Sequence, residues 1–177
     1  STQGVSSAAS DVYKRQVRDQ LKDPLNVHNV GEKSERDGEV EELIALVGLP
    51  HSTLDALPGQ LSGGQRQRVA IARALALNPD AIIADEPTSA LDVSVRAQIL
   101  NLLTDLKNKL GLSMVFISHD IQTVRYVSNR IIVMNHGHII EEGPAREIFS
   151  NPKDDYTRAL LGAAPSLLHP DMTKIES

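Results

Sequence analysis

Cysteine and tryptophan are absent from this sequence, and aromatic residues make up only 3% of its 177 positions. Without cysteine the chain forms no disulfide framework, no thiolate metal site and no cysteine nucleophile. The scarcity of aromatic side chains argues against the stacking platforms that bind single-stranded nucleic acids. No uninterrupted apolar run is long enough to span a bilayer. Any membrane association is therefore expected to depend on a partner protein.

An excess of positive charge is also missing. The chain has 18 lysine and arginine residues against 23 aspartate and glutamate residues, which gives a formal net charge of −5 and an isoelectric point near 5.6. This balance does not suggest field-driven binding to nucleic acid, and we expect no nucleic-acid partner. The length and the 41% hydrophobic content suffice for one domain core, or most of one.

The third absence is a phosphate-binding loop of the G-x-x-x-x-G-K-[ST] type. In such loops, backbone amides and a lysine wrap the β- and γ-phosphates of a nucleotide. None of the 11 glycines in this chain is followed by lysine. The sequence as it stands therefore contains no such grip on a nucleotide.

The most informative stretch that is present is segment 61–65, which reads Leu-Ser-Gly-Gly-Gln before an almost wholly apolar run. Ser62 at the N-cap position and Gln65 three residues later predict a capping box and the start of a helix. Gly63 and Gly64 carry no Cβ, so another molecule can approach the first-turn N–H groups closely. Phosphate is the usual anion at such a place. The same glycines would also suit tight packing against a neighbouring element.

A second pattern is an apolar run that ends in two carboxylates, Asp85 and Glu86. The run lies between Asn78-Pro79 and Pro87, which predicts a buried parallel strand with the acids at its carboxyl end. Open α/β sheets bind ligands at that end. Adjacent carboxylates there can divide two tasks, because side chains along a strand alternate in direction.

The remaining pattern predicts an α/β fold, because helix and strand signals alternate and imply parallel pairing with crossovers. Upstream of residue 61 we expect an extended piece at 23–25, a loop at 31–38 and a helix at 39–47 that stops at Gly48. Downstream we expect a helix at about 94–110 and a second buried strand at 113–117. Further on, the pattern predicts a helix at 121–127, strands at 130–134 and 138–142 around the turn 135–137, and helices at 145–149 and about 154–161.

Four of these segments resemble motifs of the ATP-binding-cassette (ABC) ATPases, in the family's order. Segment 61–65 resembles the signature motif, and 82–86 resembles the Walker B strand. Segment 89–92, which reads Ser-Ala-Leu-Asp, resembles the D-loop, and 118–120, which reads Ser-His-Asp, resembles the switch-histidine loop. The resemblance runs from about Val17 to about Pro165. It implies a partial P-loop ATPase core, with a parallel sheet flanked by helices, and part of the helical signature subdomain.

The resemblance also implies roles for the residues at these motifs, with ATP and Mg²⁺ as cofactors. Asp85 would belong to the Mg²⁺ shell, and Glu86 would be the general base or water-positioning residue. His119 would orient the water and sense the γ-phosphate, and Asp92 would lie at a dimer seam. The signature residues Ser62, Gly63, Gly64 and Gln65 would contact a nucleotide held by the other subunit.

Plainer interpretations of the same residues stay open. The two acids can be a solvated strand end, and Ser118 and Asp120 can serve as caps for the next helix. The other histidines fit no metal-ligand spacing, and we interpret them as surface or turn residues. They are His28, His51, His136, His138 and His169.

The family's Walker A motif, adenine-stacking aromatic residue and Q-loop glutamine should precede the helical region, where only residues 1–16 stand. We expect 1–16 to be a flexible tail or a sequence remnant outside the family. Residues 17–150 would be the C-terminal part of the ATPase domain, with the helical subdomain at about 17–77 and the core at about 78–150. Residues 151–177 would be a C-terminal extension. The isolated chain is expected to have negligible ATPase activity.

Segments 92–98 and 141–161 resemble the ATPases of oligopeptide and dipeptide importers. This implies a subunit at the cytoplasmic face of the membrane that powers uptake of peptides or similar small solutes. Its partners would be a second ABC ATPase subunit, integral membrane permease subunits and, indirectly, a substrate-binding protein. No iron–sulfur centre is expected, because the tail lacks cysteine. The alternatives are a non-hydrolysing module that donates only its signature motif, or a soluble ABC ATPase outside transport.

Overall fold

The computed structural model describes residues 15–163. The chain divides into two compact units, Ser1–Ile117 and Ser118–Ser177. The loose tail predicted from Ala163 onward falls almost wholly outside the described residues, as do positions 1–14 of the predicted N-terminal segment. Within the described part, no helix combines the length and the hydropathy that crossing a bilayer requires.

The first unit is an alternation of helices and strands. Its elements are α1 (Val17–Val27), α2 (Arg36–Leu46), the 3-10 turns His51–Asp55 and Pro58–Gln60, α3 (Gly63–Leu75), β1 (Ala81–Asp85), α4 (Val93–Leu110) and β2 (Ser113–Ile117). The two strands pair in parallel, from Ala81 beside Ser113 to Asp85 beside Ile117. Because α4 connects the strands, the predicted parallel crossover is confirmed.

In the described part of this unit, one hydrophobic cluster joins α1, α2, α3 and α4. Helix α3 contributes Val69, Ala72 and Leu75, and α4 contributes Ile99 and Leu103, among others. Helix α4 follows its predicted stripe and ends at Gly111, whose positive φ of 65° gives the left-handed turn that stops the helix. The prediction for α4 is confirmed to within one residue at its start.

The extended conformation expected at residues 23–25 is wrong, because Pro24 lies inside α1. Val17, Leu21 and Leu25 are at most 1% exposed and form a stripe at helical spacing. Burying each such side chain contributes about 1.5–3 kcal/mol. Together they outweigh the roughly 3 kcal/mol that a helix-interior proline costs. Tertiary packing therefore overrides the local signal of proline.

Helix α2 begins at Arg36, three residues before the predicted start, so the expected loop 31–38 is shorter. The Arg36 side chain is buried and explains the difference. Its guanidinium donates to the carbonyl oxygens of Val30 (2.9 Å) and Gly31 (3.2 Å) and to Asn26 Oδ1 (2.7 Å). These bonds hold the loop against the first turn of α2. The helix ends at Leu46 with Val47 as its C-cap, and the predicted stop, Gly48, has φ +69°.

The expectation that β1 and β2 are buried strands is wrong for one face of their sheet. Ile83, Val115 and Ile117 are 71%, 55% and 47% exposed. On the opposite face Ile82, Ala84, Met114 and Phe116 pack against the hydrophobic cluster or are buried themselves. The physical reason is that, among the described residues of this unit, the helices pack against only one face of the two-stranded sheet.

In its described residues, 118–163, the second unit is a hairpin with three helices. Its elements are α5 (Ile121–Val127), β3 (Arg130–Asn135), β4 (His138–Pro144), α6 (Ala145–Ser150) and α7 (Asp155–Ala163). The strands pair antiparallel around His136 and Gly137, which both have positive φ, as the predicted tight turn requires. Ile131 and Val133 on β3 pack against Ile148 of α6. The predicted hairpin and short helices are confirmed.

Helix α7 is tied to β4 by a carboxylate. The side chain of Glu141 accepts the N–H of Lys153 at 2.9 Å and that of Asp154 at 3.1 Å, just before the helix begins. The bond from the Lys153 amide is the main reason that the pKa of the Glu141 carboxyl lies below its ordinary value. Glu141 thus satisfies amides that the helix start leaves unpaired.

Candidate functional site

The first turn of α3 has the predicted capping box. The amide of Gln65 donates to Ser62 Oγ at 3.2 Å, and the amide of Ser62 donates to Gln65 Oε1 at 2.9 Å. The first intrahelical bond runs from the Arg66 amide to the Ser62 carbonyl oxygen at 2.9 Å. The amides of Gly63 and Gly64 precede that bond, so the helix itself gives them no acceptor. This turn can bind an anion.

The two glycines also pack tightly against the segment that leads into α4. A Cβ added to Gly64 would lie 2.6 Å from Val95 Cγ1, and one added to Gly63 would lie 3.2 Å from Leu91 Cδ2. The first distance is shorter than any real carbon–carbon contact, and the second is tight. The packing interpretation of these glycines is therefore confirmed, and the approach of a ligand to the same turn stays a prediction.

Asp85 and Glu86 lie at the carboxyl ends of both strands. Asp85 is the last residue of β1, is exposed and stands in register with Ile117, the last residue of β2. Glu86 continues the ladder by one bond, because its amide donates to the Ile117 carbonyl oxygen at 2.9 Å. The sheet edge at which α/β folds bind ligands thus presents two adjacent carboxylates.

Glu86 has a backbone conformation that side-chain-bearing residues seldom adopt. Its φ is +46°, in the left-handed region that disfavours residues with a Cβ. Three bonds hold it there, the amide bond to Ile117 and two to its own carbonyl oxygen, from the amide (3.3 Å) and the hydroxyl (3.1 Å) of Ser89. Such strain of about 1–3 kcal/mol is typical of functional sites. No sequence pattern signalled it.

Asp92 occupies the N-cap position of α4. Its carbonyl oxygen accepts the Arg96 amide at 2.8 Å, but its exposed carboxylate makes no capping bond. A capping aspartate normally bonds the amides of the first turn. The Asp92 carboxylate therefore does not cap α4, and its place at a seam between subunits stays a prediction.

His119 lies in the second unit and is exposed. It follows β2 by two residues along the chain. Asp120 caps α5 by accepting the amides of Gln122 (3.1 Å) and Thr123 (3.4 Å), and Ser118 Oγ accepts the Asp120 amide at 3.0 Å. The capping interpretation is thus confirmed for Asp120. The role of His119 at a γ-phosphate stays a prediction.

Arginine side chains near the signature turn were missed by the sequence reasoning. Arg66 Nη1 donates to the Leu61 carbonyl oxygen at 2.5 Å, and Arg68 Nη1 donates to the Val47 carbonyl oxygen at 2.7 Å. The second bond ties α3 to the carboxyl end of α2. A basic residue near a helix C-terminus is a favourable pair in itself. Only the structure shows that the pairing crosses from one helix to another.

A metal ion at this sheet edge would need water or substrate phosphates as ligands in addition to protein side chains. Within residues 15–163, no three histidine or acidic side chains are grouped so that they could hold an ion. Mg²⁺ commonly binds through one or two carboxylates and keeps water and substrate phosphates as its other ligands. The single exposed carboxylate of Asp85 fits that pattern, whereas a closed structural metal site does not fit these residues.

Comparison with known proteins agrees with these features. Residues 4–89 match the family described as ABC transporter. The dipeptide transport ATP-binding protein DppF of Escherichia coli (strain K12) is 49% identical over 158 residues, which are 89% of this chain and 47% of that protein. The oligopeptide transport ATP-binding protein AppF of Bacillus subtilis (strain 168) is 48% identical over 152 residues, 86% of this chain and 46% of that protein.

The chain therefore spans about half the length of the curated relatives it matches. The family match begins at residue 4, inside the segment 1–16 that the sequence analysis set apart, and the boundary at residue 16 stays a prediction. Among solved structures, a dimer of the ATP-binding cassette MJ0796 with ADP and Pi has a TM-score of 0.63 and 38% identity. The similarity covers 74% of this chain and 57% of that one.

Proposed function

We propose that the chain belongs to the ABC transporter ATPase family and that it contributes to two composite ATP sites in an importer ATPase. In each site, one subunit supplies the acids at its sheet edge and the other supplies its signature turn. The observation that carries this proposal is the pair Asp85 and Glu86 at the shared carboxyl edge of β1 and β2.

Glu86 is the group that acts on water in this proposal. Phosphoryl transfer to water requires a residue that positions or deprotonates the nucleophile. The hydrogen bonds that Glu86 makes with Ile117 and Ser89 fix its backbone. Its side chain therefore extends from a fixed position at the sheet edge. Asp85 holds Mg²⁺ through water, and the ion neutralises phosphate charge when bound. For His119 we propose a contact with the terminal phosphate of a bound nucleotide.

The signature turn serves the nucleotide of the partner subunit. The amides of Gly63 and Gly64 lie at the positive end of the α3 dipole and precede the first intrahelical bond. Ser62 and Gln65 hold that turn open through their reciprocal bonds. Asp92, with an uncommitted carboxylate, contacts the partner at the seam between the two sites.

The 177 residues do not suffice for turnover on their own. They contain no glycine followed by lysine and hence no phosphate cradle of the Walker A type. The apolar side chains on the open face of the β1–β2 sheet support the same conclusion, because parallel sheets are normally covered on both faces. We propose that hydrolysis requires polypeptide that these residues do not include.

Peptide uptake is the transport activity that the relatives favour. DppF and AppF are named as transport ATP-binding proteins for dipeptides and oligopeptides. We extend this to a subunit at the cytoplasmic face of the membrane, paired with an identical or related ATPase and with permease subunits. A substrate-binding protein would deliver the peptide. The chemistry of the cassette does not fix the cargo, because the ATP sites do not contact it.

The test replaces Glu86 by glutamine in the complete ATPase assembly that contains this chain. ATP turnover is expected to fall at least about a hundredfold, because general-base catalysis contributes roughly 10²–10⁴ to the rate. The variant should retain ATP and accumulate as the ATP-bound dimer, measured by gel filtration. The matched control is Glu142→Gln, an exposed acid on β4, which should leave turnover within about twofold. Unchanged hydrolysis in the Glu86→Gln variant would show that the base is misassigned.

The 177-residue chain by itself provides a second measurement. We expect no release of phosphate from MgATP above background, with either the original sequence or the Glu86→Gln variant. Turnover by the chain alone that Glu86→Gln abolishes would overturn the proposal that it lacks a nucleotide grip. A functional assembly without any hydrolysis would instead favour the alternative of a module that only donates its signature motif.

A further inference from the structure

The close approach of Gly64 to Val95 joins two parts of the molecule that the proposed function assigns to different tasks. Gly64 lies in the signature turn, and Val95 lies in the first turn of α4, three residues after Asp92. The geometry points to Val95 as a positioning residue that fixes the position of the signature turn relative to the segment that carries Asp92. This inference rests on the proposed function for the roles of the two motifs, but not for the contact itself.

The contact leaves no room for a methyl group. The position of a Cβ on Gly64 is only 2.6 Å from Val95 Cγ1, and Val95 is a β-branched residue with little rotamer freedom on a helix. The adjacent glycine makes a looser contact, because its Cβ would lie 3.2 Å from the mobile end of Leu91. Leu91 and Val95 flank Asp92 on both sides along the chain. The signature turn is therefore fitted to the segment that carries Asp92.

A fit of this kind makes the two motifs move as one body. Packed interiors do not deform continuously, so a change at one contact surface is transmitted to the other. A shift of the signature turn towards a partner's nucleotide would carry Asp92 with it. Val95 itself need not contact nucleotide for this effect, which is why it is a positioning residue and not a catalytic one.

The first test is a double-substitution cycle on the 177-residue chain, measured by urea unfolding. Gly64→Ala is expected to lower the folding equilibrium constant about tenfold, because overpacking costs roughly 1–3 kcal/mol. In the Val95→Ala background the same change should be neutral or stabilising, because alanine is the better helix former and the space is now open. The inference predicts this reversal of sign.

Gly38→Ala is the matched control. Gly38 lies in α2 and no atom comes within 4 Å of the position of its Cβ. Alanine there should raise the folding equilibrium constant about two- to fivefold. If Gly64→Ala behaves like Gly38→Ala, or if it destabilises equally with Val95 and with alanine at position 95, the contact is absent and the inference is overturned.

A local readout separates positioning from general stability. Under native conditions, hydrogen exchange at helix ends reports local opening, which global stability does not alter. Val95→Ala should accelerate exchange of the Gln65 and Arg66 amides several-fold and leave the last turn of α3 unchanged. The double variant should restore the slower rates. Uniform changes along α3, or no change at Gln65, would contradict a positioning role.

The functional readout uses the complete ATPase assembly. Val95→Ala should lower ATP turnover several-fold, and the conservative variant Val95→Ile, which keeps the Cγ1 atom that contacts Gly64, should retain it; Gly64 stays unchanged here because the proposed function places it at the partner's nucleotide. Unchanged turnover in Val95→Ala while the unfolding cycle shows the sign reversal would show that the contact is only structural and overturn the positioning role. An assembly in which even the original sequence does not hydrolyse ATP would contradict the proposed function, and the unfolding and exchange measurements would still decide the inference.

Discussion

The helices α1 and α2 and the strands β1 and β2 belong to one unit, but they differ in how completely their apolar side chains are covered. In the helices, Leu21 and Ile44 are at most 1% exposed. In the strands, Ile83 is 71% exposed and Val115 is 55% exposed, although β1 and β2 read as almost unbroken apolar runs. A strand with one face in water normally alternates apolar and polar residues.

The comparison shows which apolar side chains are buried by other residues of the same unit and which are not. The helical part buries its apolar stripes with residues of this unit alone, so its stability is local. The strands have the apolar sequence that is typical of strands buried on both faces. Only one of their faces is buried by the described residues. The acids proposed for catalysis lie at the end of these half-covered strands.

The largest expected effect is on the helical side of this comparison. Leu21→Ala should lower the free energy of unfolding by about 2–5 kcal/mol, because it empties a fully enclosed site that cannot collapse without moving α1. In a chain of this length, each kcal/mol corresponds to roughly 2–4 °C in Tm. Urea and thermal unfolding followed by circular dichroism would measure both.

The control lies on the open face of the sheet. Ile83→Thr keeps a β-branched side chain and should change stability by less than about 0.5 kcal/mol. A loss comparable to that of Leu21→Ala would mean that this face is covered in solution. Repeating the measurement at several protein concentrations would then show whether a second copy of the chain covers it.

The second prediction compares backbone conformation in the two regions. At position 86 the glycine variant should be more stable than the alanine variant by about 1 kcal/mol, because only glycine adopts a positive φ without strain. At Glu41, an exposed position in α2, the order should reverse by a similar amount, because alanine favours the helix. Four variants and one unfolding assay suffice. If the alanine variant is more stable than the glycine variant at both positions, the backbone of Glu86 is not strained.

Much of the fold followed from local chemistry in the sequence. The capping box at Ser62 and Gln65, the stop at Gly111 and the positive-φ turn at Gly137 each depend on one or two residues that have few alternative conformations. Strand β2 and helix α5 have the predicted bounds because punctuating residues flank a clear periodicity. The adjacency of Asp85 to the end of β2 followed from parallel pairing.

What the sequence could not supply depends on contacts between distant residues. Pro24 inside α1 is tolerated because Leu21 and Leu25 are buried by other helices, which no local pattern reports. Ile83 is exposed because no described element packs against its face of the sheet, which its own sequence segment does not indicate. The clash that a side chain on Gly64 would make depends on Val95, thirty-one positions further on. Motif spacing predicted the candidate site, and packing between distant residues set the local geometry of its backbone.

The smallest expected effect concerns a surface pair on the helical side, and it tests whether the stability there comes from the core rather than from charges. Asp37 accepts from Lys22 Nζ at 2.5 Å and from Arg18 Nη1 at 3.2 Å, with more than half of its own side chain exposed. The bond from Lys22 is the main reason that the pKa of the Asp37 carboxyl lies below its ordinary value of about 3.9.

The sign of the resulting pH dependence follows from that direction. A carboxyl whose pKa is lower in the folded state contributes stability above its unfolded pKa and loses it as the pH falls through the folded value. Asp37→Asn should therefore be slightly less stable than the original chain at pH 5–7, and the difference should shrink as the pH falls below about 4 and vanish only below the lower pKa of the folded state. Because the pair is exposed, 1 M salt should remove most of it. A stability difference that persists at low pH and high salt would arise from packing. It would contradict the view that this exposed ion pair is separate from the enclosed core.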